Sequence, residues 1–114
     1  MVVDQPTQAV TLDGLRFVFH NVPGSEAPAE FTFYLPELQA FCGAELMSHT
    51  LHNLYTLRGA KVRDALKWAG YLDASLAHAA QAEVLFNQHH WPVWGRARID
   101  DFISKQRDVY RYIH

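Results

Sequence analysis

The sequence predicts a small α/β domain in which helices pack on a β-sheet. Residues 8–43 contain short segments in which apolar and polar residues alternate, as in half-buried strands. Two later segments repeat apolar residues at helical spacing, and a short apolar run lies between them. Strands in series followed by helix, strand and helix are expected when helices cover a sheet.

The composition is that of one folded domain. A chain of 114 residues can bury a modest core. Its apolar fraction of 49% and charged fraction of 19% are typical of globular rather than disordered proteins. The formal net charge of −2 gives no electrostatic reason to expect nucleic acid or an anionic membrane as a partner. No apolar run approaches the roughly 20 residues that span a bilayer.

Four strands are predicted in the first part of the chain, at 8–12, 15–21, 31–35 and 39–43. The first two form a hairpin, because Asp13-Gly14 is a favoured two-residue turn. Residues 23–30 are rich in proline and glycine and are predicted to form a loop. Residues 46–57 fit either a loop or a short irregular helix.

Two helices and one further strand are predicted in the second part. The first helix extends from Ala60 to about Ala79, with an apolar face formed by Val62, Leu66, Ala69, Leu72 and Leu76. Gly70 weakens it by about 1 kcal/mol relative to alanine, so a bend or break is expected there. A short buried strand is predicted at 83–87 and an amphipathic helix at 96–113.

Three predicted strands are followed by residue types that bind metals: Glu26, Glu45 and the pair His89-His90. Loops at strand ends bring distant parts of a sequence together. Carboxylate oxygens and neutral imidazole nitrogens are good ligands for a zinc-like ion. From the residues alone two alternatives stay open: Glu26 as a solvated loop carboxylate, and Glu45 as the partner of Arg58 or Arg63.

The other polar residues near Glu45 suggest supporting roles. His49 and His52 share a face if their segment is helical, and we expect them beside a metal site rather than on the metal. Adjacent histidines in extended chain point to opposite sides, so His89 and His90 are not expected to share one site. An arginine near the metal could bind an oxyanion through its bidentate fork.

Four motifs closely resemble those of the alkyl sulfatases, dizinc hydrolases of the metallo-β-lactamase superfamily that cleave dodecyl sulfate and related esters. The motifs are PGSEAPAE (23–30), AELMSHTLHN (44–53), LRGA (57–60) and QHHWPVWG (88–95). The resemblance implies that residues 1–94 form the second half of a metallo-β-lactamase αββα sandwich. Residues 95–114 would begin a helical dimerisation region, so a homodimer is expected for the parent protein.

The resemblance also assigns roles to the candidate metal ligands. It implies that Glu26 ligates one zinc ion, that Glu45 bridges two zinc ions, and that His90, rather than His89, ligates the second. These three residues would be at most half of a dinuclear site.

The same resemblance identifies Asn53, Arg58 and, less directly, Arg63 as residues that anchor the sulfate group of an alkyl sulfate substrate. The implied reaction hydrolyses the ester to an alcohol and inorganic sulfate. No side chain of this chain is assigned as a catalytic group.

The superfamily's first metal motif, His-x-His-x-Asp-His, does not occur in the 114 residues. We expect it upstream, in a longer parent protein, and we expect the chain alone to be inactive. Two alternatives are a non-catalytic interaction or dimerisation fragment and a related hydrolase of another ester.

Overall fold

The sheet is built from six short strands joined mostly by tight turns. In this computed structural model, which describes residues 2–114, the strands are β1 (Thr7–Leu12), β2 (Leu15–Asn21), β3 (Phe31–Leu35), β4 (Ala40–Cys42), β5 (Val84–Phe86) and β6 (Val93–Trp94). The helices are α1 (Ala65–His78) and α2 (Arg96–Ile113). A single 3₁₀ turn, Pro36–Leu38, joins β3 to β4. Met1, the first residue of the predicted catalytic segment, lies outside the described residues.

The strands lie in the sheet in the same order as in the sequence. All neighbours are antiparallel except β4 and β5, which pair in parallel with Phe41 opposite Leu85. A parallel pair needs a long crossover, and the segment containing α1 provides it. The crossover leaves the segment after β4 and the turn after β5 at the same edge of the sheet.

One face of the sheet packs against both helices. Phe41 and Leu85 contribute the sheet side of this core, while α1 contributes Trp68 and Leu72. From α2 come Ile99, Ile103 and Tyr110, all at most 2% exposed. The Trp68 and Tyr110 rings stack with centroids 4.8 Å apart, so the helices are joined through aromatic contact as well as aliphatic packing. Neither helix of residues 2–114 is long and apolar enough to cross a membrane.

The opposite face carries a row of aromatic side chains. Successive strand residues point to opposite faces, so Phe33 and Phe86 lie across the sheet from the helices. Phe33 contacts Phe86 edge-on at 6.1 Å and Phe19 at 5.8 Å. Phe17 stacks on Phe19 with centroids 5.8 Å apart. These contacts give the face its own apolar layer.

Most predicted elements are present, with small shifts at their ends. The hairpin, the strand at 31–35 and the helix at 96–113 agree with the sequence prediction. The strand predicted at 83–87 is shorter, and β6 was not predicted. Residues 46–57 form no regular helix, which leaves the loop alternative.

The first helix differs from its prediction. It begins at Ala65 rather than Ala60, because the Asp64 side chain accepts a hydrogen bond from the Lys67 amide and caps the helix there. Of the predicted apolar face Ala69 is buried, whereas Leu66 is 50% exposed and Trp68, which was not predicted there, is buried. No break occurs at Gly70, since packing on α2 offsets its weak helix propensity.

Two histidines meet between the sheet and α1. His20 of β2 is 6% exposed and stacks on His78, in the last turn of α1, with ring centroids 3.5 Å apart. Its Nδ1 lies 3.2 Å from the Thr7 hydroxyl. Burial, with a smaller contribution from His78, lowers the pKa of His20 to about 4. Burial also lowers the pKa of His78.

We expect the chain to lose stability as the pH falls from 7 to 5. The pKa of His20 is about 4 in the folded state and about 6.5 when unfolded, so the unfolded state binds more protons in this range. His20 alone then contributes a loss of about 2 kcal/mol in the free energy of unfolding. Urea unfolding at the two pH values measures this loss.

The control compares His20→Gln with His114→Gln, which alters an exposed histidine. His20→Gln should reduce the pH dependence, and His114→Gln should keep it. An equal loss in His20→Gln and the unaltered chain would contradict the assignment.

Candidate metal centre

Two carboxylates and an imidazole converge at the edge of the sheet where β2 and β4 end. Glu26 lies in the loop after β2, Glu45 follows β4, and His52 lies farther along the same segment. One ligand atom from each lies within 4.8 Å of the other two, and all three residues are half-buried. The structure thus brings Glu26 and Glu45 together, and their assignment as metal ligands stays a prediction.

The chain turns sharply just before Glu45. The Gly43 amide donates to the Phe86 carbonyl at 2.8 Å, and a Cβ on Gly43 would lie 3.1 Å from Met47. Ala44 has a φ of 49°, in the left-handed region that costs a non-glycine residue about 1 kcal/mol. The surroundings of this turn, rather than its intrinsic preference, hold Glu45 in place.

His52 is fixed by both helices. Its amide donates to the Tyr110 hydroxyl of α2 at 3.2 Å, and its ring lies 5.4 Å from that of Trp68 in α1. Its Nδ1 is 3.1 Å from the Asn53 carbonyl oxygen, which can only accept, so the proton lies on Nδ1. His52 Nε2 lies 3.7 Å from Glu45 Oε2, on the side from which it could ligate a metal ion.

Arg63 joins Glu26 to Asn53. Its Nη2 donates to Glu26 Oε1 at 2.7 Å and its Nε to the Glu26 carbonyl at 2.8 Å. Its Nη1 donates to the carbonyl and side-chain oxygens of Asn53 at 2.9 and 3.0 Å. Four of its five N–H groups are thus used within the chain. Arg63 therefore has one remaining N–H group for the predicted contact with sulfate.

Neither histidine after β5 belongs to the group formed by Glu26, Glu45 and His52, although His89 approaches Glu45. His89 Nε2 is 3.5 Å from Glu45 Oε1, whereas the ring of His90 lies 5.2 Å from that of His49. Both backbone amides donate to Asn87 Oδ1, at 3.1 and 2.9 Å, which fixes the turn. The structure thus brings His52, not His90, into the group of three. The assignment of His90 stays a prediction.

The other predicted sulfate anchors lie on the outer side of the cluster. Asn53 is exposed and its side-chain oxygen accepts from Arg63. Arg58 is exposed in the loop before α1, and its guanidinium forms no hydrogen bond or ion pair within residues 2–114. Its five donors are available to an anion, which fits the predicted role without testing it.

Sequence reasoning missed Glu30. This glutamate precedes β3, and its carboxylate accepts hydrogen bonds from the amides of both Glu26 and Glu45. It was visible as part of the motif 23–30, but no spacing rule indicates that one carboxylate there bonds to a segment 15 residues later. The link of His52 to Tyr110 spans 58 residues and was equally hidden.

The donor set fits a divalent metal ion. Two carboxylate oxygens and one imidazole nitrogen are ligands that zinc-like ions accept. The like charges of Glu26 and Glu45 would both be stabilised by a cation between them. Arg63 forms an ion pair with Glu26 and not with Glu45. A bound cation would therefore stabilise the carboxylate of Glu45 more than that of Glu26.

The whole chain is similar in sequence to known alkylsulfatases. The chain is 45% identical over 115 residues to the alkyl/aryl-sulfatase BDS1 of Saccharomyces cerevisiae, covering 100% of this chain and 18% of the yeast protein. It is 45% identical over 114 residues to a linear primary-alkylsulfatase of a Pseudomonas species, covering 99% of this chain and 17% of that protein. No family model matches the sequence.

Solved structures agree. The stereoselective inverting sec-alkylsulfatase Pisa1 from Pseudomonas superposes with a TM-score of 0.95 and 40% identity, covering 99% of this chain and 18% of that one. The chain matches a fragment of the alkylsulfatases. A metallo-β-lactamase from Pontibacter korlensis, 14% identical, shares the fold with a TM-score of 0.65 over 90% of this chain and 46% of its own. The predicted resemblance to the alkylsulfatases and the predicted fold class are therefore confirmed. The chain spans less than a fifth of the length of the curated relatives it matches.

We expect Arg63→Met to lower the free energy of unfolding of the chain by about 2 kcal/mol, because it leaves the carboxylate of Glu26 without its charged partner. Lys105→Met is the matched control, since it removes the exposed i,i+4 pair with Asp101 and should cost under about 0.5 kcal/mol. Urea unfolding compares the two variants. Equal losses in the free energy of unfolding would show that the bonds of Arg63 to Glu26 and Asn53 do not stabilise the fold.

Proposed function

We propose that the chain is part of a zinc-dependent hydrolase that converts alkyl sulfate esters to an alcohol and inorganic sulfate. The 40–45% identity to alkylsulfatases along the whole chain carries this proposal. It favours an alkyl sulfate substrate over another ester and over a purely structural fragment. The metallo-β-lactamase fold of the neighbours indicates a metal-binding family, which suits the cluster at Glu26 and Glu45.

In this proposal Glu26 binds one zinc ion and Glu45 bridges two. The orientation of Glu45 supports a bridging role, because Oε2 faces His52 while Oε1 faces His89 in the turn after β5. His90, in the same turn, is the proposed ligand of the second ion. His52 lies on the side of Glu45 that faces Glu26, with its Nε2 3.7 Å from Glu45 Oε2.

Bound zinc would supply an activated water and would polarise a sulfate oxygen. The chain's own contribution is to bind and orient the sulfate. Arg58 presents a free guanidinium that matches the geometry of a sulfate group. Asn53, held by Arg63, offers its side-chain amide group as a further donor. Charge developing on the departing sulfate would be stabilised by these groups.

We also propose that the parent protein is a homodimer formed through the region that begins with α2. The end of this helix exposes Val109 and Ile113, each more than 40%, and Tyr112, 92% exposed. Aromatic and aliphatic side chains left uncovered in this way are typical of helix–helix interfaces.

A chimeric enzyme tests the proposed function. We expect the linear primary-alkylsulfatase of Pseudomonas to keep its activity when its matching segment is replaced by this chain. Glu45→Gln in the chimera should lower kcat/KM on the order of 100-fold or more, because it removes the proposed bridging carboxylate. Release of inorganic sulfate from a linear alkyl sulfate is the measurement. The isolated chain with zinc should release none.

Glu37→Gln is the matched control, since Glu37 is exposed on the 3₁₀ turn before β4. It should leave the activity of the chimera unchanged. A folded, zinc-loaded chimera that releases no sulfate would contradict the proposed function, and a fully active Glu45→Gln chimera would contradict the role of Glu45.

Arg58→Ala in the same chimera tests the substrate class. We expect KM for an alkyl sulfate to rise roughly 10- to 100-fold, because a charge-assisted hydrogen bond contributes about 1.5–3 kcal/mol. The KM of a neutral ester, if one is hydrolysed, should not change. Equal changes for both substrates would indicate that Arg58 shapes the loop and does not bind sulfate.

A further inference from the structure

Glu30 lies where the loop after β2 returns to the sheet. Its carbonyl accepts from the Val22 amide at 2.9 Å, so its backbone is fixed at the end of β2. Its carboxylate points back into the loop. Oε2 accepts from the amides of Glu26 at 2.9 Å and Ala27 at 3.3 Å. The hydroxyl of Ser25, 1% exposed, lies 2.8 Å from the same oxygen.

The second carboxylate oxygen reaches a different part of the chain. Oε1 accepts from the Glu45 amide at 3.0 Å. Within residues 2–114, this is the only hydrogen bond that joins the loop 23–30 to residues 43–50. One carboxylate therefore holds the backbone of both acidic residues of the cluster.

The cluster needs such a link for two reasons. Glu26 and Glu45 carry like charges within 4.8 Å of each other, and Arg63 forms an ion pair with Glu26 alone, so the two segments repel unless further positive charge lies near Glu45. Ala44 holds a left-handed conformation that an alanine does not favour, so the turn before Glu45 needs an external restraint. An amide hydrogen bond to an ionised carboxylate is strong enough to provide it.

We propose that Glu30 is a positioning residue that sets the separation of Glu26 and Glu45 for metal binding. The role of Glu30 in metal binding rests on the proposed function, whereas its hydrogen bonds to the two amides are present without a metal. Glu30 contacts the backbone of the two ligands and not the metal. Residues that orient ligands in this way typically change metal affinity 10- to 100-fold when altered.

The test uses Glu30→Gln in the 114-residue chain. A glutamine keeps the size of the side chain, but its NH₂ group must face one set of amide donors and its carbonyl is a weaker acceptor. We expect hydrogen exchange, measured by NMR, to become about tenfold faster or more at the amides of Glu26 and Glu45. Glu37→Gln is the control and should leave these amides unchanged.

Cobalt(II) binding is the second measurement, since its visible spectrum reports the ligand geometry. We expect Glu30→Gln to weaken Co²⁺ binding about 10- to 100-fold and to alter the spectrum. Glu37→Gln should change neither. Should Glu30→Gln fail to fold, Glu30→Asp replaces it, because its shorter side chain keeps the charge but cannot reach both segments.

Faster exchange at both amides together with weaker cobalt binding supports the proposal. Unchanged exchange at Glu45, or faster exchange with unchanged cobalt affinity and spectrum, overturns it. If only the chimera described above binds cobalt, the two variants are compared in the chimera. Absence of cobalt binding in both the unaltered chain and the chimera would refute the metal centre, and with it the purpose proposed for Glu30. The exchange rates would still decide whether Glu30 joins the two segments.

Discussion

Like-charge repulsion between Glu26 and Glu45 is the constraint around which the edge of the sheet is arranged. At 4.8 Å it costs between about 1 and 3 kcal/mol, depending on how far water screens the two charges. Arg63 offsets the charge of Glu26, and His52 and His89 approach the two oxygens of Glu45. Hydrogen bonds to Glu30 keep the backbones together. A site that brings carboxylates together and leaves one without a full positive partner is suited to a cation.

The helices serve this edge as well as the core. The Trp68 indole N–H donates to the Leu46 carbonyl at 2.9 Å, which fixes the residue after Glu45 to α1. The Tyr110 hydroxyl accepts a hydrogen bond from the His52 amide, which fixes a later residue of the same loop to α2. Since Trp68 and Tyr110 also stack on each other, the packing of the two helices determines where the irregular segment 46–57 lies. The region expected to begin a dimerisation unit, 95–114, thus contributes directly to the order of the site.

The fold could be predicted from sequence wherever a single local pattern determines the structure. Alternation and the Asp13-Gly14 turn specify the first hairpin, and apolar spacing specifies α2. Prediction failed where local signals compete, as at Ala60–Asp64, where a helical apolar period continues past the point at which Asp64 caps the helix. The two-residue strand β6 is too short to have a pattern of its own.

For the site, sequence reasoning predicted which segments meet and not how their side chains pair. The strand ends explain why Glu26 and Glu45 come together. Sequence spacing carries no information on the contacts of Glu30 or Tyr110, because the first joins two loops and the second joins a loop to α2 across 58 residues. The role of Arg63 as a clamp was missed for the same reason, since the resemblance assigned it to the substrate.

The two carboxylate oxygens of Glu45 face different parts of the chain. Its Oε2 faces the side on which Glu26 and His52 lie, and its Oε1 faces the turn after β5. That turn is anchored by Asn87, which accepts from the amides of both His89 and His90. Neighbouring side chains in this turn have different surroundings, since His89 faces Oε1 while the ring of His90 lies against that of His49.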